Sequence, residues 1–255
     1  MEKNNLIWIS GGSTGIGRAT AKKFAKEGWS VAISARSQEN LISLKNEIIN
    51  EYNNNKIHTY VCDNRDTDQV RETILNIEKN LGHIEIALMN AGTTHPYSKE
   101  FNLDYYKHVI NTNIIGTLNC INSIYPIFKK RKKGHLSIVS SMVGFRGLPT
   151  ASAYTMSKAA LINLAESLYF DLKKIGVRVT LINPGFIKTP LTDKNTFPMP
   201  FLKSSEFAAE KIYQGLVNSN KFELIFPFQW FLIMKLLRIL PYRLYFYFVS
   251  KFTGL

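Results

Sequence analysis

Leu6-Ile7-Trp8-Ile9-Ser10-Gly11-Gly12-Ser13-Thr14-Gly15-Ile16-Gly17 is the stretch whose reading decides the fold. Leu6 to Ser10 is a short apolar run of strand length, and Gly15 to Glu27 follows it with the pattern of an amphipathic helix. In the turn between them, glycines let the backbone come close to a pyrophosphate, while free N–H groups and the dipole of the helix N-terminus favour its charge. A glycine-rich turn alone says little. A strand before it and a helix after it make it a dinucleotide-binding signature, and Gly11, Gly15 and Gly17 are more glycine than a ligand-free turn requires. The turn therefore offers Gly11, Ser13, Thr14, Gly15, Ile16 and Gly17 as cofactor-binding residues.

Outward from this unit the same rhythm continues. Val31 to Ala35, Ile57 to Cys62, Ile84 to Met89, His135 to Ser140 and Val177 to Asn183 read as strands, with Phe222 to Phe226 as a last one. Glu39 to Glu51, Thr67 to Leu81, Leu103 to about Phe128 and Ala153 to Lys174 read as helices. Apolar, β-branched strands alternating with helices imply an α/β fold, a Rossmann-like doubly wound parallel sheet with helices on both faces. No linker interrupts residues 1–226, which read as one domain, and residues 227–255 read as a helical extension of it.

Composition excludes several classes. The 255 residues are 45% hydrophobic and 20% charged, the balance of an ordinary globular protein long enough to bury a full core. Cys62 and Cys120 have no paired spacing, so neither a disulfide scaffold nor a zinc site is indicated. His58, His83, His95, His108 and His135 form no ligand-spaced cluster, and no metal is expected. Met1 to Asn5 runs straight into the first strand without a signal-peptide pattern, so a cytoplasmic location is expected. The net charge of +13 suits anionic ligands or an anionic membrane face. Its densest run, Lys129 to Lys133, follows a helical segment, where cations complement the macrodipole. A solvated helix end is the better reading of it, and no nucleic-acid partner is expected.

The second strand ends Ile33-Ser34-Ala35-Arg36-Ser37 without the acid that accepts hydrogen bonds from an NAD ribose. An arginine there pairs instead with a 2′-phosphate, so Arg36 favours NADP(H) over NAD(H).

Tyr-x-x-x-Lys occurs five times, at Tyr52/Lys56, Tyr125/Lys129, Tyr154/Lys158, Tyr169/Lys173 and Tyr247/Lys251, so spacing cannot choose among the pairs. Only Tyr154/Lys158 has a serine, Ser141, thirteen residues upstream at the end of a strand.

With these motifs in order, the chain resembles the short-chain dehydrogenase/reductase family, in its common subclass of about 250 residues, from Leu6 to about Phe226. The family's cofactor turn matches at Gly11, Gly15 and Gly17, with Ser10 in place of a threonine. The resemblance implies adenine contact at Asp63 beside Asn64, and a structural Asn-Ala-Gly motif at Asn90, Ala91 and Gly92, where Met89 replaces one asparagine. It also implies a nicotinamide-side loop at Pro184, Gly185, Ile187 and Thr189. Its active-site set maps to Asn113, Ser141, Tyr154 and Lys158, with Asn113 holding a water in a relay from Lys158. Homodimers or homotetramers through the long helices are implied as well.

The expected chemistry follows from the groups themselves. A phenol with a reference pKa near 10 needs a nearby cation before it can act as a base, and Lys158, one turn along, would supply it. Tyr154 would protonate the alkoxide formed when hydride reaches a carbonyl, and Ser141 would orient that oxygen. Phe186 to Leu202, rich in Phe, Leu, Ile and Met, implies by resemblance a lid that suits a lipophilic carbonyl or alcohol, or else packs on the protein itself. The tail is more aromatic than the family's usual ending, and Pro227, Gln229, Lys235, Arg238 and Pro241 break its apolar runs below bilayer-spanning length. Two readings of 228–255 stand: surface-lying amphipathic helices on a membrane, or helices packed on the domain or a second subunit. Two functions stand as well: an NADP-dependent oxidoreductase, or a non-catalytic NADP-binding or membrane scaffold on the same fold.

Overall fold

The inner strands of the sheet are short, apolar and buried on both faces, the edge strands Ile57–Val61 and Glu223–Phe226 only in part, and each strand finds a parallel neighbour. The computed structural model describes residues 5–94, 101–195 and 197–253, so His95, the first four residues and the last two of the tail lie outside the described residues. The strands are β1 (Leu6–Ser10), β2 (Ser30–Ala35), β3 (Ile57–Val61), β4 (Ile86–Met89), β5 (Gly134–Val139), β6 (Val177–Pro184) and β7 (Glu223–Phe226). They form one all-parallel sheet in the order β3-β2-β1-β4-β5-β6-β7. Its direction of winding reverses between β1 and β4.

The helices are α1 (Gly15–Lys26), α2 (Gln38–Tyr52), α3 (Thr67–Asn80), α4 (Leu103–Ile110), α5 (Gly116–Arg131), α6 (Ser152–Lys174), α7 (Ser205–Val217), α8 (Phe228–Ile239) and α9 (Tyr242–Thr253). Strand side chains alternate between faces, so β1 sends Ile7 and Ile9 one way, Leu6 and Trp8 the other. Ile7 and Ile9 meet Phe24 of α1, Leu44 and Ile48 of α2, and Ile212 and Leu216 of α7. Leu6 and Trp8 meet Ile74 of α3, Ile124 and Phe128 of α5, Leu161 of α6 and Met234 of α8. Two cores separated by the sheet are the doubly wound arrangement the strand pattern implies.

Three departures from the sequence reading have physical causes. The helix expected over 103–128 is interrupted by a π turn, Asn111–Ile115, and runs on to Arg131. Such a turn adds a single residue inside an otherwise continuous helix, and no residue type marks where it falls, so pattern reading passes over it. The basic run ends α5, where Lys132 takes a left-handed backbone conformation (φ 52°), and Arg131 bonds to Glu78 and donates to the Ile84 carbonyl at 2.6 Å. Helix α7 was not anticipated. Its start is marked by Ser204, whose Oγ accepts from the Phe207 N–H at 3.1 Å, but on its buried face Ile212 and Leu216 are diluted by Ala208, Ala209 and Gly215, which weakens the apolar signal.

The tail does form two helices, and α8 is fixed to the second core through Met234, which has no exposed surface. Truncation there removes buried methylene groups and leaves a cavity, whereas Leu236 faces outward at 57% exposure. Met234→Ala should therefore lower unfolding free energy by about 2–5 kcal/mol in urea titrations. Leu236→Ala should stay within about 0.5 kcal/mol of the parent.

Candidate active site

The crevice opens at the carboxyl ends of β1 and β4, where the winding reverses, the place where doubly wound sheets bind ligands. Gly11 turns the chain away from β1 with φ +66°, a conformation that penalises any Cβ, and donates its N–H to the Ser34 carbonyl at 2.8 Å. The turn after β4 is pressed against it. A Cβ on Gly11 would lie 2.6 Å from the Ala91 Cα. Asn90 Nδ2 donates to the Gly11 carbonyl at 2.7 Å, and the Asn90 N–H donates to Ser10 Oγ at 3.3 Å.

A cavity of about 620 Å³ fills the crevice. Gly11, Ser13, Thr14, Gly15 and Ile16 line it from the first turn, Asn90, Ala91 and Gly92 from the turn after β4, and Pro184, Gly185, Ile187 and Thr189 from the loop after β6. Gly17 lies behind the lining, where a Cβ would strike Asn90 Nδ2 and the Gly11 carbonyl. It sets how closely α1 approaches the turn.

Several features of this cavity fit a dinucleotide. Helix α1, like α6 and α8, has no side chain capping its first turn, and because its start lines the cavity its first N–H groups are open toward an anion there. Asn64 Nδ2 and Thr112 Oγ1 are buried without hydrogen-bond partners, and both residues line the cavity. Buried polar groups rarely go unpaired, so a polar ligand at this wall answers a need of the fold. Among the described residues no His, Cys, Asp or Glu group could hold a metal ion.

At the β2–β3 end the lining includes Arg36, Ser37, Asn40, Asp63, Asn64 and Arg65. Arg36 is exposed and makes no hydrogen bond among the described residues. Asp63, expected to face adenine, has its carboxylate gripped by Arg65, whose Nε lies 3.0 Å from both oxygens. That guanidinium, helped by the charge of Arg36, holds the Asp63 carboxyl below its ordinary value. The spare positive charge of the trio sits at the edge of the cavity.

At the other end, Ser141 leaves β5 in extended conformation and caps a short 3-10 turn, Met142–Gly144, with its Oγ donating to the Pro184 carbonyl at 3.2 Å. Ser141, Tyr154 and Lys158 line the same stretch of cavity. Lys158 is 3% exposed, donates its Nζ to the Val139 carbonyl at 3.0 Å, and lies 5.6 Å from the centre of the Tyr154 ring. Burial pulls the Lys158 ammonium down to about 8. Burial also pushes the Tyr154 phenol up to about 12, with the Ser141 hydroxyl pulling weakly the other way. The expected lowering of the Tyr154 pKa by Lys158 is not seen in the protein by itself, because desolvation of the phenolate outweighs it.

Asn113 stands apart from the cavity lining. Within the π turn, its Oδ1 accepts from the Thr93 N–H at 2.7 Å, and its Nδ2 donates to the Thr93 carbonyl at 3.0 Å and to Ser157 Oγ at 2.9 Å. The side chain thus ties the turn after β4 to α6, through the residue next to Lys158. Residues not singled out from sequence also matter. Ser140 Oγ donates to the Lys158 carbonyl at 2.7 Å and pins α6, while Arg65, Thr112 and Thr192 line the cavity. Arg65, two residues after Asp63 on a tight turn, was legible in principle; Thr112 was not, because the π turn sets its direction.

With this geometry in place, relatives can be compared. A family model described as short chain dehydrogenase matches residues 5–198. An uncharacterized oxidoreductase of Myxococcus xanthus is 35% identical over 240 residues, 93% of each chain. The 3-oxoacyl-(acyl-carrier-protein) reductase FabG of Thermotoga maritima is 36% identical over 196 residues, 75% of this chain and 78% of that one. Among solved structures, ElxO with NADP bound superposes with a TM-score of 0.78 at 27% identity, covering 87% of this chain and 96% of the other. The chain belongs to the short-chain dehydrogenase/reductase family. It is accordingly an oxidoreductase that works with a nicotinamide cofactor.

Lys158 yields a pH test. Its folded pKa, about 8, lies below the ordinary 10.5, so the unfolded chain binds more protons between those values and stability rises with pH across that window. Relative to Lys158→Met, which lacks the group, the parent should gain on the order of 1–3 kcal/mol from pH 8 to 10.5. Paired chemical denaturation curves check this.

Proposed function

We propose that this protein is an NADP(H)-dependent reductase of a lipophilic carbonyl compound, with residues 1–226 as the catalytic unit and 227–255 as its extension. The observation that carries the reading is that Ser141, Tyr154 and Lys158 line the same cavity as the Gly11–Gly15 turn and Arg36. A scaffold has no use for a buried cation such as Lys158, whose desolvation costs stability.

The cofactor, when bound, supplies hydride chemistry at the nicotinamide end. Pro184, Gly185, Ile187 and Thr189 hold that end, and the first turn and Asn90, Ala91 and Gly92 hold the pyrophosphate and ribose. Ser141, turning its single hydroxyl proton away from the Pro184 carbonyl, donates a hydrogen bond to the substrate oxygen and stabilises the negative charge that grows on it. Tyr154 delivers the proton that turns this alkoxide into an alcohol. A phenol near 12 keeps its proton at neutral pH, which suits reduction, and alcohol oxidation through the same group gains as pH rises. Lys158, charged below about 8, draws the phenol's oxygen toward its anionic form once the proton leaves. Asn113 acts as a positioning residue by fixing Thr93 and Ser157, and a relay water expected there would be held by the same frame.

Arg36, with Ser37 and the partly neutralised Arg65 beside it, supports preference for a 2′-phosphate, and no carboxylate ends β2. A lipophilic substrate is supported by Phe186, whose ring lies 6.1 Å from that of Phe197 and 5.3 Å from that of Trp230, next to the cavity-lining Gly185 and Ile187. Exposed Ile115 and Leu118 on the π turn and α5, and Phe170 on α6, support a homodimer or homotetramer through these helices. The composition of 228–255 supports contact with a membrane surface from the cytoplasmic side.

NADPH oxidation against a panel of lipophilic ketones tests the reading. Tyr154→Phe should lower kcat by about 10²–10⁴-fold, the usual worth of a positioned acid, with NADPH still bound. Full turnover in Tyr154→Phe overturns the mechanism. Arg36→Ser should raise KM for NADPH about tenfold to a hundredfold, since charged hydrogen bonds contribute about 1.5–3 kcal/mol, and leave KM for NADH unchanged.

A further inference from the structure

One outward face of α8 is apolar along its length: Phe228, Leu232, Leu236 and Ile239 recur at helical spacing and all are exposed. The opposite face carries Met234, and Trp230 lies against Phe186. Helix α9 buries only Tyr245 and Val249 and exposes Phe246, Tyr247 and Phe252. Beside α8, the lid presents Phe197, Phe201 and Leu202 to solvent. Phe186 touches Phe197 of the lid on one side and Trp230 of α8 on the other, so the lid packs on the side of α8 that also carries Met234.

The hairpin is held rigidly against the catalytic loop. Arg146, five residues after Ser141, stacks its guanidinium on Tyr242 and Tyr245 at 4.3 and 4.5 Å and donates to the Arg238 and Leu240 carbonyls. The Tyr245 hydroxyl donates to the Gly147 carbonyl. The outward face therefore has a fixed orientation relative to the site.

Charge decides what covers such a face. Residues 228–255 contain Lys235, Arg238, Arg243 and Lys251 and no Asp or Glu, and in and beside the lid Lys188, Lys194 and Lys203 outnumber its one acid, Asp193. A second copy of this face would bring like charges together, whereas anionic headgroups complement them, each cation near such a surface contributing about 1 kcal/mol. Among the described residues no helix is long and apolar enough to cross a membrane, so the geometry is that of helices lying on it. We propose that the lid and the outward faces of α8 and α9 form a single docking face for an anionic lipid bilayer, with the substrate entering the site from the lipid. The entry route rests on the reductase reading above; the docking face does not.

The test uses the full chain in co-sedimentation with phosphatidylcholine vesicles and with phosphatidylcholine–phosphatidylserine vesicles, at low and high salt, beside sedimentation velocity without lipid. The parent should bind the anionic vesicles at least tenfold better than the neutral ones and lose that advantage in salt. Leu232→Asp/Leu236→Asp, on α8, and Phe201→Asp, on the lid, should each weaken binding at least tenfold, with thermal melts confirming that both variants fold. Parent protein that stays in the supernatant overturns the proposal. So does a lipid-free dimer that Leu232→Asp/Leu236→Asp dissociates, because a second copy then covers the face. Unchanged vesicle binding by Phe201→Asp removes the lid from it. Reduction of a ketone dissolved in the vesicles should be faster with anionic than with neutral lipid. Binding without any NADPH oxidation sinks the reductase reading alone, and oxidation without binding sinks the docking face alone.

Discussion

The contact on which the rest of the site depends is the one between the turns after β1 and β4. Parallel strands wound in opposite directions leave a gap at their reversal, and in this chain the Asn90 side chain closes its floor by donating to the Gly11 carbonyl. The approach is close enough that a side chain on Gly11 or Gly17 would have no room. Glycine in the first turn therefore does two jobs: it admits the left-handed backbone at Gly11, and it lets α1 start near the strand ends with its first N–H groups open. From that floor the crevice extends to Arg36 and Asp63 at one end and to Ser141, Tyr154 and Lys158 at the other.

A second tension sits at the reacting end. Lys158 is almost wholly buried, and its ammonium is held by the Val139 carbonyl and by no carboxylate among the described residues. Such a site disfavours both charged forms at once, lowering the lysine pKa and raising the tyrosine pKa, because both ionised groups lose solvent. The result is a reluctant phenolate beside a reluctant ammonium. In the reading proposed here this is useful, since a proton donor must hold its proton until charge develops on the substrate oxygen.

Much of the sheet was legible because strands buried on both faces read as continuous apolar runs, and Leu6–Ser10 with its glycine turn fixed the class of fold. The candidate set Ser141, Tyr154 and Lys158 was legible only in combination. Tyr154/Lys158 is one of five equal spacings, and only its order after Ser141 and the first turn set it apart. Local geometry hid the remainder. The π turn changes what Asn113 and Thr112 face and is marked by no residue type, and the small residues Ala208, Ala209 and Gly215 beside Ile212 and Leu216 on the inner face of α7 gave little contrast. The Asp63–Arg65 grip depends on a tight turn that a one-dimensional pattern does not describe. Proximity of Tyr154 to a lysine is visible in the sequence, whereas the burial that raises its pKa in the folded chain is not.

The extension adds to a common fold a pair of helices clamped by Arg146 to the loop that bears Ser141. Its inner face completes the core and its outer face is left apolar and basic, so the same segment serves packing and exposes a surface. The central claim remains the chemistry at Tyr154 and Ser141. A single-turnover experiment tests it most directly, with NADPH carrying deuterium at the transferable nicotinamide position and a lipophilic ketone as acceptor. The account predicts deuterium on the carbinol carbon within one turnover in the parent and, in Tyr154→Phe with cofactor bound, transfer slowed by at least about a hundredfold. Equal transfer in the two proteins, or none in the parent with any ketone despite bound NADPH, would contradict it.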